Sequence, residues 1–341
     1  MYPRLVVDLK KIKHNTEIIV NKYRDKNISI MGVTKVFCAI QEVVDAMIDG
    51  GIDFIADSRI QNLKKVKTNL PKVLLRCPML SEVEEVVKYA DIVLISELVT
   101  IKRINTEASK LNKNIKLILM FDMGDLREGL WFENSLDFID DIKTLSNVTI
   151  YGIGTNLTCY GGIMPNEENL GKLVVIKDAI EEKGVKLDIV SGGNSSSLYL
   201  DELSGINNLR IGEAIALGRE TAYGNIIDSA YEDAFYLEAE VVEVANKPSY
   251  PVGQIGMDAF GNVPTFIDKG IIPRAILAIG KQDVDETGIY PEKGQILGAS
   301  SDHLIMEGEF KLGDIVKFNL SYGALLRLAT SEYVTKEIEN D

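Results

Sequence analysis

Over the first two thirds of the chain, short continuous apolar runs alternate with amphipathic stretches. The runs 28–32, 53–56, 72–76, 92–95, 115–121, 148–153, 187–190 and 208–211 are rich in Val, Ile and Leu and predict strands. The stretches 40–49, 59–68, 81–88, 97–112, 135–145, 167–183 and 195–203 predict helices between them. Ahead of these lie a short strand, 5–7, and a helix over 10–27, with Ile12, Ile18 and Ile19 among charged neighbours. Strands that read as unbroken apolar runs are buried on both faces, which implies a parallel sheet covered by helices. Eight such units in roughly 200 residues are what a closed (β/α)8 TIM-like barrel takes; an open doubly wound sheet is the alternative.

Beyond about Gly224 the pattern changes. Residues 236–244 (YLEAEVVEV) alternate strand-like, and Pro248, Pro251, Pro264, Pro273 and Pro291 punctuate short strands such as 275–279 and 315–319. No long helix is read there. The chain is therefore expected to consist of a barrel over 8–226 and a C-terminal, mainly antiparallel β domain over 227–341 joined by 1–7, with no internal repeat and no low-complexity segment.

The 341 residues, 46% of them hydrophobic, suffice for a large core. No secretory leader pattern and no apolar run long enough to span a membrane is read, so a soluble, cytoplasmic protein is expected. Cys38, Cys77 and Cys159 are odd in number and widely spaced, which signals neither a disulfide framework nor a zinc ribbon. The net charge of -14 argues against nucleic-acid binding. It also suits a cationic small molecule, although acidic surfaces serve solubility more often than substrate binding. His14 and His303 alone do not build a histidine-rich metal site, and no metal is expected.

In a barrel the active site forms where strands end. Lys35 follows the first barrel strand, Asp57 the second, Asp122 and Arg127 the fifth, Asn156 and Tyr160 the sixth, Asn194 and Ser195 the seventh; Arg76 closes the third and Arg210 lies in the eighth. Lys35, Arg76 and Arg210 lie within or beside apolar runs, which ordinary loop composition does not explain. A partly desolvated lysine in that place is easier to deprotonate, as a Schiff-base lysine requires; seen alone, it reads more readily as a lysine whose stem covers apolar surface. Ser191 to Ser197 (SGGNSSS) running into a helix offers backbone N–H groups and hydroxyls to an anion, and Gly212 adds another amide. An ordinary N-cap looks the same. A phosphate site after the seventh and eighth strands, with a lysine on the first, points to pyridoxal 5'-phosphate.

The segments GVTKVFCA (32–39), FDMGDLREG (121–129), GIGTNLTCYGG (152–162), SGGNSSSL (191–198), LRIGEAIALG (209–218) and LSYGALLRLATSEYVTKEI (320–338) together resemble the alanine racemase-like enzymes of pyridoxal-phosphate fold type III, and within them the ornithine racemase group. The resemblance covers nearly the whole chain. It implies that Lys35 carries the cofactor and serves as one base, and that Ser195, Asn194 and the backbone of Gly212 and Glu213 hold its phosphate with Tyr322. It implies that Arg210 faces the pyridine nitrogen, that Asn156 takes the place of a residue beneath the ring, and that Arg127 sits near the substrate carboxylate; Arg76, at the end of the third strand, is placed with the cofactor contacts from its position. A guanidinium gives up no proton, so the ring nitrogen stays unprotonated and the ring is a weaker electron sink, which favours reprotonation at the α-carbon.

The sequence departs from that family in places. Its second base is a tyrosine on the β domain, donated across a dimer interface; the matching stretch here is Gly280-Lys281-Gln282-Asp283-Val284, which puts Lys281 in that position, with Asp283 and His303 as other candidates. The lysine that alanine racemases often carbamylate corresponds to Met120, and a phosphate-binding tyrosine to Ala39. Ser301, Asp302 and Met257 are expected to meet substrate, and Asp302 or Glu213 to meet a distal amine. The expectation is a racemase of a basic amino acid, ornithine first, working as a head-to-tail homodimer. Alternatives are a racemase of alanine, lysine or another amino acid, and a non-catalytic pyridoxal-phosphate carrier; a metal-assisted aldolase or a fold-type III decarboxylase fits less well.

Overall fold

The computed structural model describes residues 1–339. The chain divides into two units, Lys10–Tyr231 and Met1–Leu9 with Glu232–Asp341. Strand β1 (Arg4–Asp8) opens the chain and helix α1 (Leu9–Arg24) leads into the larger unit. There the strands are β2 (Ser29–Val33), β3 (Phe54–Asp57), β4 (Lys72–Leu74), β5 (Ile92–Ile95), β6 (Ile115–Asp122), the two-residue β7 (Leu130–Trp131), β8 (Val148–Gly154), β9 (Ile189–Ser191) and β10 (Asn208–Ile211). Apart from β7, which hangs on the outer end of β6, each strand pairs parallel to its neighbours in the order β2-β3-β4-β5-β6-β8-β9-β10. The ring closes where Arg210 pairs with Met31 and Ile211 with Gly32. This is a closed eight-stranded parallel barrel.

Its apolar runs are continuous because both strand faces are covered. Met31, Val33, Ala56, Val73, Ile92, Leu94, Ile118, Met120 and Ile189 form one buried cluster. Their alternates Ile30, Ile55, Leu74, Val93, Ile95, Leu117 and Leu119 are buried as well. Helices α2 (Gln41–Asp49), α3 (Ile60–Lys65), α4 (Val83–Tyr89), α5 (Leu98–Lys110), α6 (Phe138–Lys143) and α7 (Glu167–Glu182) connect the strands, and α8 (Glu213–Leu217) follows the last one. Residues 195–203 differ from the expected helix: only Ser195–Tyr199 coil, as a 3-10 turn. Three successive serines compete for the backbone, Ser197 Oγ donating to the Gly192 carbonyl at 2.8 Å, and Leu200 is already extended.

The second unit is built on the long strand β11 (Phe235–Pro248), antiparallel to β1, to β12 (Ile271–Leu277) and to β16 (Ile315–Leu320). Strands β13 (Ile289–Pro291), β14 (Gln295–Ala299) and β15 (Leu304–Glu307) extend the sheet antiparallel, while β17 (Thr335–Glu339) lies parallel to β1. Alternation along β11 buries Phe235, Leu237, Ala239 and Val241. One helix, α9 (Tyr322–Thr330), was not expected in this unit. Ser321 caps it, accepting from Ala324 N at 3.2 Å, and Ala324, Leu325, Leu328 and Ala329 form its buried stripe at helical spacing.

Candidate functional site

The barrel strands deliver ionisable side chains at their C-terminal ends. Lys35 begins a 3-10 turn, Lys35–Phe37, directly after β2. Cys38 and Ala39 then adopt left-handed backbone, with φ of 53° and 50°. Two successive non-glycine residues in that region cost of order 1–3 kcal/mol each, and such strain gathers where a functional group must be held. The turn is pinned from the next strand: Thr34 N donates to the Ala56 carbonyl at 2.9 Å and Thr34 Oγ1 to Asp57 Oδ2 at 2.6 Å. Asp57 is fully buried, and it also accepts from Arg59 N at 2.8 Å and Asn62 Nδ2 at 3.1 Å. Burial raises its carboxyl above the ordinary carboxylate range, against the pull of those donors and of the Lys35 charge.

Arg210, buried in β10, donates from Nη1 to Ser191 Oγ at 2.5 Å and from Nη2 to the Thr155 carbonyl at 2.5 Å and Asn156 Oδ1 at 2.6 Å. Burial brings its guanidinium down to about 10, with the Glu128 carboxylate opposing, so it remains a cation at neutral pH. Asn156 passes the contact on: its Nδ2 donates to Glu128 Oε1 at 2.6 Å. Arg127 Nη2 donates to the same Glu128 oxygen at 2.5 Å, and Arg127 Nε pairs with Oε2. Burial works against the Arg127 charge, but the bond it donates to Glu128 and the surrounding negative charge leave its proton held more firmly than usual.

The seventh and eighth strand ends are stitched together. Ser195, buried, accepts at Oγ from Ala214 N at 3.2 Å, which sets the serine loop against Gly212 and Glu213. Asn194 Oδ1 accepts from Ser196 N at 2.8 Å, and its Nδ2 donates to the Leu157 carbonyl at 2.9 Å and to Cys159 Sγ at 3.2 Å. Gly193 sits at φ +116°, and a Cβ there would lie 2.7 Å from Ser197 Oγ. Ser196 Oγ and, one strand away, Thr155 Oγ1 are buried without a hydrogen-bond partner. A buried hydroxyl left unpaired is costly, and an anion with several acceptor oxygens would satisfy it. The five-residue 3-10 turn contributes little macrodipole, so such an anion would be held by individual N–H and O–H groups. Burial pushes the Glu213 carboxyl up to about 7, against the pull of Arg219 and Lys35.

Other expected residues are placed differently. Arg76 pairs with Glu82 through Nη2 at 3.2 Å, and its buried Nε has no partner. Asp122 closes a turn, accepting from Gly124 N at 2.8 Å and Leu126 N at 3.1 Å. Asp125, buried, gathers Cys159 N, Tyr160 N and Ile163 N at 2.9–3.2 Å and so fixes the loop after β8. In the β unit Lys281 Nζ pairs with Glu286 Oε1 at 2.9 Å and lies 4.7 Å from the Phe260 ring centre. The Glu286 bond raises its proton affinity. Gln282 N donates to the Ser301 carbonyl and Lys281 N to the Ser300 carbonyl, both at 2.9 Å, so the Lys281 and Asp302 turns are neighbours. Asp302 bonds His303 Nδ1 at 3.3 Å and is 70% exposed, so within this chain it is not the buried carboxylate expected for a distal amine; Glu213, half-buried, comes nearer to that description. Met257 is exposed, in the long segment between β11 and β12, and Tyr322 opens α9. Among the described residues no group of three or more His, Cys, Asp or Glu is placed to hold a metal ion.

Glu128, Thr34 and Asp125 were missed, and Asp57 was noted at a strand end without a role. Glu128 was legible only as the carboxylate beside Arg127, since its link to Asn156 joins positions 28 residues apart.

Comparison with known proteins sets this arrangement in a family. Residues 7–220 match the alanine racemase N-terminal domain family, and the chain belongs to it. It is 49% identical to an ornithine racemase of Acetoanaerobium sticklandii, over 99% of this chain and 100% of that one. It is 41% identical to a lysine racemase of Thermotoga maritima, over 99% of each. Among solved structures, the alanine racemase of a D-cycloserine-producing Streptomyces lavendulae superposes with a TM-score of 0.80 at 13% identity, over 99% of this chain and 97% of that one, a likeness of fold.

Proposed function

We propose that this chain is a pyridoxal-phosphate-dependent amino-acid racemase whose substrate is ornithine. The observation that carries the reading is a lysine on a strained turn, a cation at neutral pH buried in the neighbouring strand, and a loop with an unpaired buried hydroxyl, all at one end of a single barrel. The full-length identity to an ornithine racemase supports the substrate.

The residues fit the cofactor. Ser195, Ser196 and the amides of Gly212 and Glu213 would hold its phosphate, Lys35 its aldehyde carbon, and Arg210 its ring nitrogen. When bound, pyridoxal phosphate supplies a conjugated ring that spreads the negative charge left when the α-proton departs. Arg210 stays protonated near neutral pH and would give the ring nitrogen no proton, which would leave the ring a weak electron sink. Arg127 would take the substrate carboxylate in a bidentate fork. Lys35 Nζ would accept the α-proton on one face, and a second group would deliver one on the other. We assign that group to Lys281 of a partner chain in a head-to-tail homodimer. Its ion pair with Glu286 holds a proton at Nζ ready for delivery. Three cysteines, all free, support a reducing cytoplasmic setting.

Lysine is the second reading, supported by the 41% identity to a lysine racemase. It differs from ornithine by one methylene, worth only about 1–3 kcal/mol of discrimination. Loss of optical rotation over L-ornithine, L-lysine, L-arginine, L-serine and L-alanine tests the proposal. The highest kcat/KM is expected with ornithine, lysine following; a preference for alanine would overturn the substrate assignment.

A further inference from the structure

Glu128 stands between its neighbour Arg127, on the turn after β6, and Arg210, which the fold brings in from β10. Its Oε1 accepts from both Arg127 Nη2, at 2.5 Å, and Asn156 Nδ2, at 2.6 Å, and its Oε2 pairs with Arg127 Nε. Asn156 in turn accepts from Arg210 Nη2 at 2.6 Å. The result is one continuous chain of bonds, Arg127 to Glu128 to Asn156 to Arg210. Each link is short, and those at the arginines are charge-assisted, which makes them stronger than neutral bonds. Arg127 lies on an exposed turn and its side chain is 38% exposed, whereas the Glu128 side chain is 22% exposed and Arg210 is buried. Among the described residues, Glu128 is the one bonded partner of the Arg127 guanidinium that ties it to the barrel wall. The carboxylate also compensates for two nearby guanidinium groups that would otherwise repel each other.

We propose that Glu128 is a positioning residue: it fixes the Arg127 guanidinium to receive a substrate carboxylate and couples it, through Asn156, to Arg210. Its consequence for substrate rests on the racemase reading; the bonded chain itself does not. A guanidinium held in place loses less freedom when a carboxylate arrives, so the effect falls on affinity before turnover.

Two measurements separate the inference from that reading. In cofactor-free protein, phenylglyoxal attacks unprotonated, accessible guanidine groups, and peptide mass mapping follows Arg127 alone. Glu128→Gln is expected to speed its modification several-fold; an unchanged rate overturns the inference whatever the protein's activity. In cofactor-loaded protein, the Kd for 5-aminovalerate, which carries the carboxylate and distal amine of ornithine without the reacting amine, is expected to rise about tenfold in Glu128→Gln, as the loss of a charge-assisted contact implies. The absorbance of the bound cofactor should keep its intensity. Wild-type protein that takes up no cofactor would sink the racemase reading and leave the phenylglyoxal result standing. Should Glu128→Gln fold poorly, Asn156→Ala cuts the next link. Asn156→Ala alone is then expected to weaken 5-aminovalerate binding in the same direction, and unchanged binding would overturn the coupling; where both single variants fold, full additivity of their two losses in the double variant would show that no chain couples them.

Discussion

Thr34 Oγ1 donates to Asp57 Oδ2 at 2.6 Å inside the barrel, and Thr34 is the residue on which the Lys35 turn begins. The second strand thus supports the side chain that leaves the first. Asp57→Ala would strand the Thr34 hydroxyl, Arg59 N and Asn62 Nδ2 without their acceptor. A loss of about 1–3 kcal/mol in urea unfolding is expected, with a smaller loss for Asp57→Asn, which keeps an acceptor oxygen. If Asp57→Ala unfolds at the wild-type midpoint, this contact does not hold the turn.

Glu213 ties stability to pH. Its carboxyl is raised from 4.5 to about 7 in the folded chain, chiefly by burial. Between those values the native state keeps a proton that the unfolded chain has released, so stability falls as pH rises through that window and stays lowered above it. The cofactor-free protein should therefore lose about 2 kcal/mol from this group between pH 5 and pH 8, and Glu213→Gln should flatten that part of the profile. An unchanged slope in Glu213→Gln would assign the dependence to other groups.

Much of the barrel was legible because a parallel sheet covered on both faces leaves unbroken apolar runs: each expected strand from 28–32 to 208–211 overlaps a real one, as do 236–244, 275–279 and 315–319 in the β unit. Helix α9 was hidden by its context, a short apolar stripe among strands and turns. The 3-10 turn at Ser195 was hidden because helix and turn share the same N-terminal residues there. At the candidate site, Lys35, Arg210 and the serine loop could be read because they interrupt apolar runs or break periodicity. Glu128 and Asp57 could not be assigned, because their roles lie in long-range contacts, to Asn156 and to Thr34, that no local pattern encodes.

Lys281 is held protonated by Glu286, so the pair makes a directional claim. Removing that carboxylate lowers the lysine's proton affinity, and Glu286→Gln should move the alkaline limb of the kcat/KM profile to lower pH. Lys281→Ala should slow racemisation about a hundredfold or more, in the range of a lost general acid-base group. In heavy water it should still exchange the α-hydrogen of the one enantiomer that Lys35 serves. Exchange from both enantiomers at wild-type rates would rule Lys281 out.

The central claim is that Lys35 carries the cofactor. The direct measurement is to load the protein with pyridoxal phosphate, reduce it with borohydride and map the modified peptide by mass. One pyridoxyl-phosphate group on Lys35 is expected, with none on the same peptide in Lys35→Ala. A label on another lysine, or no label at all, would contradict the account.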